Sequence, residues 1–158
     1  MKLPIDIDPS LDLVIDRVLP VPASKLWRAW TEPQHLRHWF CPKPWTVDQC
    51  EIDARPGGRF KFVMHGPAGE EFPNEGCYLE VVPNERLVWT DALLPGFRPA
   101  PKPFFTAILI MEPHEQGTRY IAIARHGAPD TREQHEQMGF FEGWNIVIDQ
   151  LVAFIQEQ

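Results

Sequence analysis

The sequence predicts an α+β protein in which a seven-stranded antiparallel sheet curves around one long C-terminal helix. Segments of alternating apolar and polar residues, separated by short Pro, Gly or Asn turns, fill the chain from about residue 45 to 125. One strand pattern and two short helical patterns precede them, and a helical pattern follows to the C-terminus. Because the sheet needs one face covered and that helix is the only large element left, we expect the sheet to curve around it.

The first half of the predicted order is one strand followed by two short helices. Leu11–Leu19 alternates imperfectly between apolar and acidic residues, which indicates a strand. Ser24 is a candidate N-cap for the first helix, and Pro33 fits the first turn of the second. Residues 1–9, which are rich in proline and acids, are expected to form a loose arm before a single domain over residues 10–158.

Six further strands are predicted, of which RFKFVM alternates most cleanly. It places Phe60, Phe62 and Met64 on one face of the strand and their neighbours on the other. The six segments, in order, are Thr46–Asp53, RFKFVM, CYLEVV, RLVWTD, FFTAILIME and TRYIAIARH. Their consecutive order with short turns is typical of antiparallel pairing.

One helix is predicted from Thr131 to about Gln156, about 39 Å long at about 1.5 Å per residue. Asp130 is a candidate N-cap, and Glu133 would complete a capping box. The stretch HEQMGFFEGW carries Gly139 and Gly143, although each interior glycine costs a helix about 1 kcal/mol relative to alanine. We expect the pair to mark a close approach of another backbone, or a bend near Gly143.

At 100° per residue, one arc of this helix, centred on Phe141, is largely apolar and is predicted to face the sheet. Its apolar members are Met138, Phe141, Trp144, Ile148, Leu151, Val152 and Ile155. The amides of Gln134, Gln137 and Asn145 fall in the same arc, where burial would require hydrogen bonds. On this wheel Gly139 and Gly143 lie on the opposite side of the helix.

Composition and charge exclude several classes of function. The net charge of −7 opposes nucleic acid binding, which favours a basic surface. The apolar runs are too short for a membrane span of about 20 residues, and we expect no membrane partner. The start MKLPIDIDPS does not resemble a signal peptide, and three cysteines fit a reducing compartment, so a cytoplasmic location is predicted.

Motifs for catalysis are weak. The spacing His35-x-x-His38-x-x-Cys41 lacks a fourth ligand, so no metal site is predicted, and without a phosphate-binding loop we expect no cofactor. Glu80 and His126 are weak candidates for acid-base catalysis, because strand parity could turn them into a pocket. The alternative is that each lies at a strand end in water or makes one structural hydrogen bond.

Several short motifs, in this order, resemble the SRPBCC superfamily, and within it the branch homologous to the activator of heat shock protein 90 ATPase. The motifs are Asp53-x-Arg55-x-Gly57-Gly58, Phe60-x-Phe62, Gly76-x-Tyr78-x-Glu80, Pro83-x-Glu85-Arg86-Leu87, Gly117-Thr118, His135-x-x-Met138-Gly139-Phe140 and Gly143-Trp144. The resemblance covers about Leu11 to Gln156 and extends more distantly to START lipid-transfer domains and polyketide cyclases. It implies a helix-grip fold with a hydrophobic pocket between the sheet and the long helix.

The function predicted from these features is the binding of a small apolar or aromatic molecule. Predicted ligand-binding residues are Phe60, Phe62, Met64, Tyr78, Trp89, Tyr120, Gln137, Met138, Phe141, Trp144, Asn145 and Ile148. The alternatives are an enzyme of polyketide cyclase or hydrolase type acting on an apolar substrate, and a chaperone-associated or other protein-interaction module. A homodimer is also considered, because a second subunit could cover one flank of the helix.

Overall fold

A seven-stranded antiparallel sheet with the strand order β1-β9-β8-β5-β4-β3-β2 forms the main layer of the structure. The computed structural model describes residues 2–158. In chain order the elements are β1 (Asp12–Leu19), α1 (Ala23–Thr31), α2 (Pro33–Leu36), β2 (Thr46–Ile52), β3 (Arg59–His65), β4 (Glu71–Val82), β5 (Arg86–Thr90), β6 (Leu93–Leu94), β7 (Arg98–Pro99), β8 (Thr106–His114), β9 (Gly117–Arg125), α3 (Pro129–Gln137) and α4 (Phe140–Gln156). The two-residue strands β6 and β7 pair only with each other.

The predicted fold class and its seven main strands are confirmed. The sheet is curved, and its concave face carries the main hydrophobic core together with α1, α2 and α4. Helix α4 buries Ile148, Leu151 and Ile155 against this core, each at most 4% exposed. Burial of this apolar stripe offsets the entropy lost on ordering the helix.

The N-terminal arm, expected to be loose, packs across the convex face of the sheet. Four isoleucines on β8 and β9 form a second hydrophobic cluster on that face, and Leu3, Ile5 and Ile7 pack against it. The Arg119 guanidinium donates a hydrogen bond to the carbonyl of Lys2. The alternation of apolar residues at positions 3, 5 and 7 is the period of an extended segment with one buried face.

Both predicted helix N-caps are wrong, because a proline sets the start of each helix. The N-cap of α1 is Pro22, and that of α3 is Ala128 with Pro129 in the first turn; neither cap makes a side-chain hydrogen bond. Pro129 suits the first turn of α3 because its φ is already helical and its missing N–H would have no partner there. Ser24 and Asp130 therefore lie inside their helices.

The prediction of one uninterrupted C-terminal helix is also wrong. Helices α3 and α4 meet at an angle of 58°, and Gly139 between them has φ +92°, in the left-handed region. Of the two explanations for the glycines, the bend is present, but at Gly139 rather than near Gly143. A Cβ added at Gly139 or Gly143 would lie within 4 Å of no non-local atom of residues 2–158, so close backbone approach is wrong.

No single helix within residues 2–158 is both long and apolar enough to cross a membrane. Helices α3 and α4 taken together reach the required length and composition, but only across their 58° bend.

We expect alanine substitutions at the two glycines to change stability in opposite directions. Gly139→Ala should lower the free energy of unfolding by about 1 kcal/mol, because an L-residue is strained in the left-handed region. Gly143→Ala should raise it by about 0.5 kcal/mol, because Gly143 lies within α4 with space for a methyl group. Urea unfolding of both variants measures these changes. A loss of equal size in both would contradict the assignment of the bend to Gly139.

Candidate ligand cavity

A cavity of about 420 Å³, partly open to solvent, lies between the concave face of the sheet and helices α3 and α4. Its sheet wall comes mainly from β3 and β4, with one residue each from β5 and β9, and its helical wall comes from both sides of the bend at Gly139. Aromatic side chains missing from the predicted site also line it, namely Trp30, Trp39, Phe40, Phe104, Phe105 and Phe140.

Large rings hold the cavity open by packing on one another. The Trp30 ring lies 5.1 Å from the Trp89 ring and 4.9 Å from the Trp39 ring, and the Phe60 ring lies 5.2 Å from the Trp89 ring. Trp30 Nε1 donates a hydrogen bond of 2.9 Å to the hydroxyl oxygen of Tyr120, which fixes both side chains. Rigid rings locked in this way cannot collapse into the void, so the wall keeps its shape without a ligand.

The structure places eight of the twelve predicted binding residues on the cavity wall. They are Phe60, Phe62, Met64, Trp89, Tyr120, Met138, Trp144 and Ile148. Met138 is 67% exposed and therefore lies at the rim rather than inside. The strand residues in this set lie on β3, where side chains alternate between the two faces, and on β5 and β9, which both pair with β8.

The cavity-facing side of α4 differs from the predicted one. Phe140, Gly143, Trp144, Val147 and Ile148 line the cavity, whereas Phe141 is 37% exposed. Gly139 also lines the cavity, so the prediction that the glycines face away from it is wrong. The wheel failed because it assumed one straight helix across a bend of 58°.

Two amides predicted to face the cavity lie elsewhere. Gln137 is exposed and donates a hydrogen bond to Glu133. Asn145 accepts a hydrogen bond from Arg17 on β1 and donates one to the carbonyl of Phe141. Asn145 therefore ties α4 to the sheet instead of facing a ligand.

Tyr78 lies behind the cavity wall, where its ring stacks on that of Phe60 at 5.4 Å. It is fully buried, and its hydroxyl has no hydrogen-bond partner within residues 2–158. Burial raises the pKa of this hydroxyl well above its ordinary value. Such an unpaired group costs free energy, because it has left water without gaining a partner.

The weak catalytic candidates Glu80 and His126 are both absent from the cavity wall. Glu80 is exposed and pairs with Arg86 at 3.2 Å. The pairing of β4 with β5 shifts register between Tyr78 and Glu80, so the assumed parity of these two residues does not hold. His126 is buried one layer deeper, behind His135, which the sequence reasoning missed.

His135 and His126 form a hydrogen-bonded pair whose proton positions follow from the backbone. His126 Nδ1 lies 2.8 Å from the carbonyl oxygen of Leu11, which can only accept, so this nitrogen carries a proton. When His126 is neutral, its Nε2 is an acceptor, and His135 Nδ1 at 2.8 Å must donate to it. The neutral pair therefore leaves His135 Nε2 with a lone pair.

His135 sits in a ring of aromatic side chains at the cavity wall. Its imidazole lies 4.8 Å from the rings of both Phe104 and Phe105 and 5.0 Å from that of Phe140. Burial, with a further contribution from His126, lowers the pKa of His135 to about 4. The imidazole is therefore uncharged at neutral pH and acts as an acceptor in an apolar site.

Asp91 positions the two phenylalanines that flank His135. Its carboxylate accepts hydrogen bonds from the backbone N–H groups of Phe104, at 2.7 Å, and Phe105, at 3.1 Å. Burial raises the pKa of Asp91, and these two hydrogen bonds oppose that shift. Phe104 and Phe105 precede β8 rather than starting it, so they lie in a loop held by this carboxylate.

The histidines of the weak metal motif have another role. The rings of His35 and His38 both lie 5.5 Å from that of Phe154 on α4. Cys41 is buried, and burial raises the pKa of its thiol to about 11. Residues 2–158 contain no group of three or more His, Cys, Asp or Glu side chains placed to hold a metal ion.

We expect removal of the hydroxyl from the two buried tyrosines to have opposite effects. Tyr78→Phe should raise the free energy of unfolding by about 0.5–1 kcal/mol, because it deletes an unpaired buried group. Tyr120→Phe should lower it by about 2 kcal/mol, because it leaves Trp30 Nε1 buried without its acceptor. Urea unfolding of the two variants provides the comparison. Similar losses in both would show that the Tyr78 hydroxyl has a partner.

The lowered pKa of His135 predicts a pH-dependent stability. The unfolded histidine binds a proton below about pH 6.5, whereas the native one stays neutral down to about pH 4. Stability should therefore fall as the pH drops from 7 to 4.5, with about 2 kcal/mol of that loss due to this residue. Denaturant unfolding should show this loss reduced by that amount in His135→Leu. An identical pH dependence in both proteins would contradict the lowered pKa.

The comparisons with known proteins agree with the motifs and the fold. The family described as Activator of Hsp90 ATPase homolog 1-like protein matches residues 20–156. Protein NE0264 from Nitrosomonas europaea has 48% sequence identity to this chain, and its crystal structure matches with a TM-score of 0.93. The match covers 96% of this chain and 97% of that one. Protein Ms6760 from Mycobacterium smegmatis is 25% identical with a TM-score of 0.77, covering 91% of this chain and 90% of that one.

A third solved structure, of protein CV1439 from Chromobacterium violaceum, is 27% identical with a TM-score of 0.73, covering 90% of this chain and 95% of that one. No curated protein matches the sequence. Since the family match spans residues 20–156 of the 158, the chain belongs to the family of Activator of Hsp90 ATPase homolog 1-like proteins, within the SRPBCC superfamily, as its motifs predicted.

Proposed function

We propose that this protein binds a small hydrophobic or aromatic molecule in the cavity between the sheet and the C-terminal helices. The observation that carries the proposal is the aromatic wall of a cavity of about 420 Å³. Ligand pockets in proteins are typically about 300–1,000 Å³, mostly apolar, and furnished with a few polar groups. This cavity has that size and that chemistry.

Two features of the wall support binding rather than simple loose packing. Its rings are held by one another and by the hydrogen bond from Trp30 to Tyr120, so the space exists before a ligand arrives. A preformed site costs little ordering of side chains on binding. Met138, 67% exposed at the rim, offers a flexible apolar side chain where a ligand would enter.

An enzyme acting on an apolar substrate is a second candidate, which one observation favours. His135 is an uncharged imidazole on the cavity wall, and His126 behind it is placed to support a proton on it. A neutral imidazole in this position has the chemistry of a general base. Turnover of a bound ligand that disappears in His135→Leu while binding persists would support catalysis.

The binding proposal is tested with N-phenyl-1-naphthylamine, a neutral fluorescent probe of apolar sites. Four tryptophans, Trp30, Trp39, Trp89 and Trp144, line the cavity, so binding should transfer energy from them to the probe. Gly143→Leu should weaken binding at least tenfold, because the new side chain extends from a cavity-lining position into free space.

The matched control is Glu142→Leu, which adds the same side chain to the same turn at an exposed position. This variant should bind the probe within twofold of the wild-type protein. Far-UV circular dichroism of both variants checks that α4 is intact. Equal binding by wild type and Gly143→Leu, or no binding by the wild type, would contradict the proposal.

A further inference from the structure

We propose that the cavity selects apolar ligands that carry a hydrogen-bond donor, such as a phenolic hydroxyl or an amine, and that His135 Nε2 accepts this hydrogen bond. The inference rests on the proposed binding function and names the class of ligand. It follows from three observations: the direction of the histidine hydrogen bonds, the confinement of the His135 ring, and the charges around the cavity.

The direction of the hydrogen bonds leaves His135 Nε2 as a free acceptor at the cavity. Two hydrogen bonds, each 2.8 Å long, link the Leu11 carbonyl to His126 Nδ1 and His126 Nε2 to His135 Nδ1. Because the carbonyl cannot donate, both imidazoles in their neutral forms carry their proton on Nδ1. Within residues 2–158, His135 Nε2 has no protein partner, and His135 lines the cavity.

The ring of His135 is confined in this orientation. Phe104, Phe105 and Phe140 contact it at ring separations of 4.8 to 5.0 Å. Turning the ring over would bring a carbon against His126 Nε2 and leave that buried nitrogen without a hydrogen bond. The site is therefore prepared to accept a hydrogen bond before the ligand enters, which favours binding.

The charges at the cavity disfavour an anionic ligand. Among the described residues that line it there is neither a lysine nor an arginine, and the carboxylates belong to Asp91 and Glu75. Glu75 is paired with Arg59 at 2.8 Å, whereas the Asp91 carboxylate is held only by backbone N–H groups. A ligand carboxylate would lose its water and meet an acceptor and a negative charge without a counter-ion.

Three ligands of similar shape test this selectivity at pH 7.5 by displacement of N-phenyl-1-naphthylamine. They are 2-naphthol, which donates a hydrogen bond, 2-methylnaphthalene, which does not, and 2-naphthoate, which is anionic. We expect 2-naphthol to bind at least fivefold more tightly than 2-methylnaphthalene, although the latter is the more hydrophobic, and 2-naphthoate to bind most weakly. In His135→Leu the advantage of 2-naphthol over 2-methylnaphthalene should disappear, so that the ratio of their two affinities falls to one or below.

The outcomes separate this inference from the proposed function. If the probe binds but 2-methylnaphthalene or 2-naphthoate competes as well as 2-naphthol, the inference is overturned and the binding function stands. An advantage of 2-naphthol that survives intact in His135→Leu would also overturn it. If the probe does not bind to the wild-type protein, the proposed function itself fails. Should the leucine variant not fold, the three affinities for the wild-type protein decide the matter alone.

Discussion

The left-handed backbone at Gly139 is the constraint on which the candidate site depends. It ends α3 and starts α4 at an angle of 58°, so one helical segment covers the core while the other turns across the end of the sheet. On the α3 side of the turn, His135 Nδ1 lies 2.8 Å from His126 Nε2, and His126 Nδ1 lies 2.8 Å from the Leu11 carbonyl oxygen beside β1. The left-handed conformation at Gly139, with φ +92°, thus lets α3 and α4 both contribute residues to the cavity wall.

Much of the sheet could be predicted from the sequence, because strand alternation is a local property. The period of two in RFKFVM put Phe60, Phe62 and Met64 on one face, and all three line the cavity. The motifs that resemble the SRPBCC superfamily added what periodicity cannot give, namely the expectation of a helix-grip fold with a hydrophobic pocket between the sheet and the long helix. The family match over residues 20–156 agrees with that interpretation.

The sequence-based predictions were wrong where long-range packing or one unusual backbone conformation outweighs the local periodicity of the sequence. A helical wheel centred on Phe141 assumes one straight helix. It therefore placed Gly139 and Gly143 on the side of the helix away from the cavity, although both line it. The register shift after Tyr78 turned Glu80 out of the pocket, although strict alternation put it inside. His135 was missed for the same reason as the glycines, because its position depends on the angle between two helices. Burial of the arm against the convex isoleucines depends on contacts distant in sequence.

The proposed ligand selectivity requires that an uncharged His135 present an unprotonated Nε2 to a ligand in the cavity. A long-range ¹H–¹⁵N correlation spectrum of the histidine rings at neutral pH observes this nitrogen directly. The structure predicts an Nδ1-protonated His135 whose Nε2 has the chemical shift of an unprotonated ring nitrogen and moves when 2-naphthol is added. A protonated Nε2, or one whose resonance is unchanged at saturating 2-naphthol, would contradict the account.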